Sequence, residues 1–196
     1  MTTNGASGSS DPTMTREKLV DIRYREQDDA AAVLGVKRVD HLGFEDGYLY
    51  PDLALRKAVA RSIRTHRPDV VITHDPTSRT VGDSYFNHPD HIATGEVVLR
   101  SINPDASSGL MFPELWRDEG LEPFLPKAVM LGSFLEGTTY VDITETIDRK
   151  IDALLCHRCQ IDDPAGVATF IRERFSQIGE RAGTAFAEAF RLFRTA

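Results

Sequence analysis

The chain has 196 residues, of which 41% are apolar and 27% charged, and its formal net charge is −7. These are the proportions of one ordinary globular domain with a sizeable core. The negative balance argues against a general nucleic-acid binder, which needs a basic face, and against electrostatic docking on anionic membranes. No apolar run is long enough to span a bilayer and nothing resembles a signal peptide, so a reducing cytoplasm is the expected compartment.

Residues 1–15 are rich in Ser, Thr and Gly and contain Asp11-Pro12. They read as a flexible or loop segment, leaving 16–196 as a single domain. Residues 16–34 are predicted helical, with Leu19, Ile22, Ala30, Val33 and Leu34 on the apolar face and Gly35 as the stop. Arg23 and Glu26 are spaced to pair on one side of that helix. Residues 36–44 read as a short strand and Glu45-Asp46-Gly47 as a turn. A second helix is predicted over 51–66 from the recurrence of Leu53, Leu55, Ala58, Val59 and Ile63, ended by Pro68. Val70-Val71-Ile72 is a β-branched run of the kind found in buried parallel strands. Its carboxyl end delivers His74 and Asp75, and ligands of open α/β sheets bind at such ends. His74 reads equally as a packed core histidine.

The stretch with most chemical content is Asn87-His88-Pro89-Asp90-His91-Ile92-Ala93-Thr94-Gly95-Glu96. Pro89 suits the first helical position, and His88, preceding a proline, is pushed into extended backbone at the helix mouth. Asp90 and His91 then fall in the first turn. The positive end of the helix dipole favours a carboxylate there and disfavours imidazolium, and a neutral imidazole is what a metal needs. His91 is therefore a candidate metal ligand. His88, oriented by Asp90, is a candidate acid or oxyanion partner. A polar helix cap would show the same pattern.

Residues 105–125 are turn-rich and acidic, a long irregular connection. Strands are predicted over 127–134 and 139–143. A helix starts near Thr144 and runs toward Gln160, carrying His157, and a last helix spans about 165–194. In that last helix Ile171, Phe175, Ile178, Phe186, Phe190 and Phe193 form the docking stripe. Cys156 and Cys159 lack a second Cys pair and a strand-turn-helix context, and read as buried or incidental thiols. Alternating helices and strands imply an α/β sandwich with a mostly parallel sheet.

His88-Pro89-Asp90-His91 followed by Ile-Ala-Thr-Gly resembles the second signature of the LmbE-like, or PIG-L, zinc-dependent N-acetylglucosamine-type deacetylases. Arg23-Tyr24-Arg25-Glu26, Leu42-Gly43-Phe44-Glu45-Asp46-Gly47, Val70 through Pro76 and His157-Arg158-Cys159-Gln160 agree in order and spacing, Cys159 standing where serine is more usual. The resemblance implies a Rossmann-like three-layer α/β/α fold and hydrolysis of an N-acetyl group on an amino sugar or sugar conjugate. It implies Zn2+, or another divalent metal, held in part by His91, with His88 and Asp90 catalytic. Arg23 and Asp46 would contact sugar hydroxyls. The partner implied is a small amino-sugar conjugate, not nucleic acid or membrane, and a homo-oligomer is compatible with it.

The family's first signature, a His-Pro-Asp-Asp run supplying two metal ligands and the base, does not occur in these 196 residues. His66-Arg67-Pro68-Asp69 reads as a helix end, and Asp162-Asp163-Pro164 lies too late. The resemblance therefore implies a sequence that starts after an amino-terminal strand, helix and strand. Three readings stay open: a deacetylase lacking its amino-terminal segment, active or inactive as written; a non-catalytic sugar-binding or regulatory remnant; and an unrelated metal hydrolase using His74, Asp75, His88 and His91.

Overall fold

The computed structural model describes residues 1–83, 85–132 and 137–195. The chain forms two compact units, one of residues 1–47 with 140–189 and the other of 48–139 with 190–196.

In the first unit, α1 (Arg16–Leu34) starts at Thr15, whose side chain accepts from the Lys18 N–H. It ends at Gly35 in the left-handed region, which satisfies the last carbonyls and for which glycine is suited. Leu19, Ala30 and Ala31 are buried, while Val33 and Leu34 reach solvent. Residues 36–44 do not form the predicted strand. Pairing is confined to Phe44, bridged in parallel to Thr3, with Leu42 and Phe44 N–H donating to the carbonyls of Met1 and Thr2. Residues 1–8 are accordingly held in place, and Ala6 is buried.

The second unit carries α2 (Leu53–His66), capped by the Asp52 carboxylate, and β1 (Val70–His74). Arg67, in left-handed backbone, closes α2, so His66-Arg67-Pro68-Asp69 is a helix end as predicted. A small hairpin of β2 (Thr80–Val81) and β3 (Tyr85–Phe86) leads to α3 (Pro89–Arg100), followed by an irregular helical turn over Ser101–Ala106. The long connection contains a short helix, α4 (Pro113–Arg117), and ends at β4 (Ala128–Gly132). Residues 133 and 134 of the predicted strand lie outside the described residues.

That connection is not a loose excursion. Arg64, on α2 and 2% exposed, reaches the carbonyls of Asp105, Ala106, Ser108, Met111 and Leu121 at 2.8 to 3.4 Å. Arg56, two turns earlier, forks onto the buried Asp105 carboxylate at 2.6 and 2.8 Å.

β5 (Thr139–Asp142), α5 (Ile147–Leu155), a short turn of helix at Arg158–Gln160 and α6 (Pro164–Ala182) follow. Ile143, Ile147 and Ile151 pack with Ile171, Phe175 and Phe186 to make one core of the first unit. The predicted final helix stops early. Gly183 adopts φ +73° after Ala182, and residues 187–194 form a strand, β6 (Ala187–Arg194). The aromatic spacing that suggested one continuous helical stripe belongs to a helix and then a strand. Gly179 allows the turn back, since a Cβ there would lie 2.7 Å from the carbonyls of Thr184 and Ala185.

The sheet order is β1-β4-β6-β5. β1 and β4 are parallel, Val70 opposite Ala128 through His74 opposite Gly132, whereas residues 190–194 of β6 run antiparallel to β4. The fold is thus mixed α/β, with an antiparallel pair where the sequence pattern suggested a mostly parallel sheet. Val129 and Leu131 of the flanked strand β4 are buried. β1 pairs with β4 alone among the described strands, and Val70 and Ile72 are 45% and 63% exposed. The β-branched run predicted to be buried is therefore an edge strand with one open face.

Candidate functional site

The residues singled out in the sequence fall in both units. His74, His88, Asp90 and His91 belong to the second unit, and Arg23, Asp46 and His157 to the first.

In the second unit, β1 ends in His74 and α3 begins at Pro89. Gly95, nearly two turns into α3, is the contact that lets helix and strand meet. A Cβ there would lie 2.5 Å from the His74 carbonyl oxygen and 3.1 Å from Pro76. This close approach brings His91 over His74, with ring centroids 4.2 Å apart and planes within 6°. His88 lies 5.5 Å from His91, centroid to centroid, and tilted by 45°.

His88 is the N-cap of α3, in extended backbone, and its Nδ1 accepts the Asp90 main-chain N–H at 3.2 Å. A ring nitrogen that accepts carries no proton, so the proton of the neutral ring sits on Nε2. The Asp90 carboxylate is buried, accepts the Leu49 N–H at 3.2 Å, and lies within 4.8 Å of a His88 ring nitrogen. The sequence pointed to Asp90 as the group that orients His88; the hydrogen bond at Nδ1 comes from its main chain.

His74 keeps an exposed edge, yet the protein around its ring desolvates the imidazolium and His91 repels it; together they push its pKa down to about 4. Two rings this parallel and this close are face to face. Their in-plane lone pairs lie in separate planes and do not meet on one ion, so His74 and His91 are not joint ligands in this arrangement. Asp75 is also engaged. Oδ1 accepts from Thr77 N–H and Oγ1 at 2.9 and 2.6 Å, and Oδ2 from Arg191 Nη1 at 3.0 Å. Burial works to raise its pKa, but these hydrogen bonds outweigh it and hold the carboxyl below its ordinary value. The four-residue metal hydrolase built on His74, Asp75, His88 and His91 loses its support here. Asp75 instead fixes the turn after β1, and Asn87, donating to the Ser78 carbonyl at 2.7 Å, returns the chain to His88.

In the first unit Arg23 and Glu26 do not pair with each other. Arg23 bonds Gln160 Oε1 through Nη1 and the Gly8 carbonyl through Nη2 at 3.0 Å. Buried Glu26 accepts from Cys159 N–H at 2.7 Å and from Cys159 Sγ at 2.9 Å. Desolvation first, and then this bond to Glu26, raise the Cys159 thiol pKa. Residues 5–8 wrap Arg23 closely; a Cβ on Gly8 would lie 2.7 Å from its Nη2. Asp46, half-buried, accepts from Ser7 N–H at 3.0 Å through Oδ2, while its main-chain N–H donates to Asn4 Oδ1. Arg23 and Asp46 thus share the 4–8 segment as a support. Gln160 and Gly8 were the partners the sequence did not reveal; Gln160 lies 137 residues away and leaves no local trace.

No helix among the described residues is long and apolar enough to cross a membrane. The family model described as PIG-L: GlcNAc-PI de-N-acetylase matches residues 1–102. Among curated relatives, "Diacetylchitobiose deacetylase" of Thermococcus kodakarensis is 27% identical over 195 residues, covering 97% of this chain and 69% of that protein. "Probable N-acetyl-alpha-D-glucosaminyl L-malate deacetylase 2" of Bacillus anthracis is 32% identical over 100 residues, covering 50% of this chain and 41% of that protein. The solved structure of N,N'-diacetylchitobiose deacetylase from Pyrococcus horikoshii superimposes with a TM-score of 0.87 at 28% identity, covering 98% of this chain and 71% of that one. Match and motif together cover half of the sequence and run through the His88–His91 helix mouth: the chain belongs to the PIG-L family of de-N-acetylases.

Proposed function

We infer that this chain serves hydrolytic removal of an N-acetyl group from an amino sugar or sugar conjugate, the diacetylchitobiose and glucosaminyl-malate relatives marking the substrate class. The observation that carries this reading is the mouth of α3, where His88 Nδ1 is occupied by the Asp90 N–H and His91 stands in the same first turn. Imidazole nitrogens beside a carboxylate suit a borderline divalent cation, zinc first. His91 would hold it, with Asp90 and His88 beside it. When bound, such a cation supplies an acidified water and polarises the amide carbonyl.

The chain's own groups then have separable tasks. His88 offers Nε2–H to the amide oxygen as that oxygen gains charge. Asp90 orients His88 through its main-chain N–H, and the proton that the attacking water gives up goes to the leaving amine. Arg23, a donor fork, and Asp46, an acceptor, are the proposed partners of sugar hydroxyls. A cytoplasmic setting is proposed with this reading, and a homo-oligomer is compatible with it.

The test is metal content per chain together with acetate release from N,N'-diacetylchitobiose. His91→Ala is expected to weaken metal binding by about 100-fold or more, beyond what loss of an outer hydrogen bond does. His88→Gln is expected to keep the metal and slow acetate release about 100- to 1,000-fold. Metal binding indifferent to His91→Ala would remove the assigned ligand. Sugar binding without metal or turnover would favour a non-catalytic sugar-binding role.

A further inference from the structure

The first unit contains a cavity of about 690 Å³ between α1, α5, α6 and the start of β6. That volume is within the usual range of small-molecule sites, about 300–1,000 Å³. Its wall is apolar over Ala30, Ile143, Leu154, Ile171 and Phe175. Its charged lining is lopsided: Arg149, Lys150 and Arg174 face it against one carboxylate, Glu188, among the described residues. Glu188 is already bonded to Lys150 at 2.6 Å. This local cation excess sits in a chain whose net charge is −7. Lys150 and Arg174 both lie over the Phe175 ring, at 4.7 and 5.8 Å from its centroid. The polar ends and the apolar floor of the cavity are thus adjacent.

We propose that this cavity binds a small organic oxyanion with an apolar body, a carboxylate or phosphate ester whose head meets Arg149 and Arg174 and whose body lies on Phe175, Ile171 and Leu154. Two chemical arguments carry it. A guanidinium fork matches a planar or tetrahedral oxyanion through paired N–H donors. A cation deprived of water gains most from an anion in the same desolvated space, and burial is the cause that lowers the Arg174 pKa. His157 also lines this cavity. It opens the turn whose Cys159 and Gln160 are held by Glu26 and Arg23, so an occupant would bear on the seat of Arg23. The proposal stands apart from the deacetylase reading.

The test uses the full chain, titrated calorimetrically with octanoate, octyl phosphate, octylammonium and inorganic phosphate. Saturable binding of octanoate or octyl phosphate is expected, with octylammonium and inorganic phosphate at least about tenfold weaker. The double variant Arg149→Gln, Arg174→Gln is expected to weaken octanoate about tenfold or more, and Leu154→Trp to abolish its binding by filling the space. A readout without substitution is amide exchange, where octanoate is expected to protect residues 149–157 and 171–175. No saturable binding, equal binding of octylammonium, or binding without protection of those segments would overturn the proposal. So would a change of oligomeric mass in the double variant in place of a change in octanoate affinity, since the cavity would then be an interface between copies.

Discussion

Replacing Arg64 with methionine keeps most of the hydrocarbon stem and removes the guanidinium from its ring of carbonyls. In the native chain Nε donates to Ala106 O at 3.1 Å, Nη1 to Leu121 O at 3.4 Å, and Nη2 lies 2.8 to 3.0 Å from the carbonyls of Asp105, Ser108 and Met111. A hydrogen bond from a charged donor contributes about 1.5–3 kcal/mol taken singly. The five do not add, because two Nη2 hydrogens serve three acceptors and because the unfolded guanidinium recovers its hydration; burial lowers its pKa in the fold. Stranding the buried acceptors is then expected to cost about 3–5 kcal/mol, the range for breaking one side of a buried charged network. For a chain of this size that lowers the melting temperature by about 10 °C. The assay is thermal unfolding by circular dichroism, with amide exchange over residues 105–121 to localise the loss. Arg61→Met is the internal control. It sits on the same helix and forks onto Glu119 of the same connection at 2.7 and 2.8 Å, but both side chains are exposed to water, so about 1 kcal/mol or less is expected. Arg64→Met melting within about 2 °C of the parent, or Arg61→Met losing as much as Arg64→Met, would refute the argument that this buried guanidinium organises the connection.

Three further outcomes are expected. Gly95→Ala should destabilise by about 1–2 kcal/mol although alanine is the better helix former by about 1 kcal/mol, because its Cβ meets the His74 carbonyl; melting temperature reads this, and a gain in stability would contradict the close approach. The Asp75 carboxyl is held below its ordinary pKa, so its contribution to stability is whole above the unfolded value near pH 4 and is lost as pH falls through the lower folded value. Asp75→Asn should therefore flatten the acid limb of the stability profile, and an unchanged limb would show that Thr77 and Arg191 do not hold the charge. Cys159 should react with iodoacetamide more slowly than a free thiol at pH 8, since its thiol pKa is raised, and Glu26→Gln should speed it; no change would detach the thiol from Glu26.

Local signals carried much of the fold. Gly35 ends α1, Pro68 follows the end of α2, Pro89 starts α3 with His88 as its cap, and the Val70–His74 run is a strand; each depends on neighbours within a few residues. β6 was hidden because Phe186, Phe190 and Phe193 continue the helical period of Ile171, Phe175 and Ile178, and only Gly183 between the two sets marked the break. The role of Arg64 was hidden differently. Arg56, Ala60 and Arg64 form one row up α2, and a row with two arginines looks solvated unless the acceptors are known to sit 41 to 57 residues onward. The candidate site divides the same way. The order and spacing of His88, Asp90 and His91 are visible as a motif, whereas the stacking of His91 on His74 follows from a missing Cβ at Gly95, whose close approach the sequence alone did not reveal.

The open margin of β1 has a colloidal consequence. In a chain of these 196 residues Val70 and Ile72 are exposed on a strand that pairs with β4 alone among the described strands, and such a strip is where like chains meet first as concentration rises. What opposes the encounter is the charge of −7 shared by every copy, which weakens as pH approaches the isoelectric point near 5.4 and as salt screens it. Clear, concentrated solutions of this chain are therefore favoured by low ionic strength and mildly alkaline buffer. Turbidity should set in from the acidic side well before the core itself is titrated.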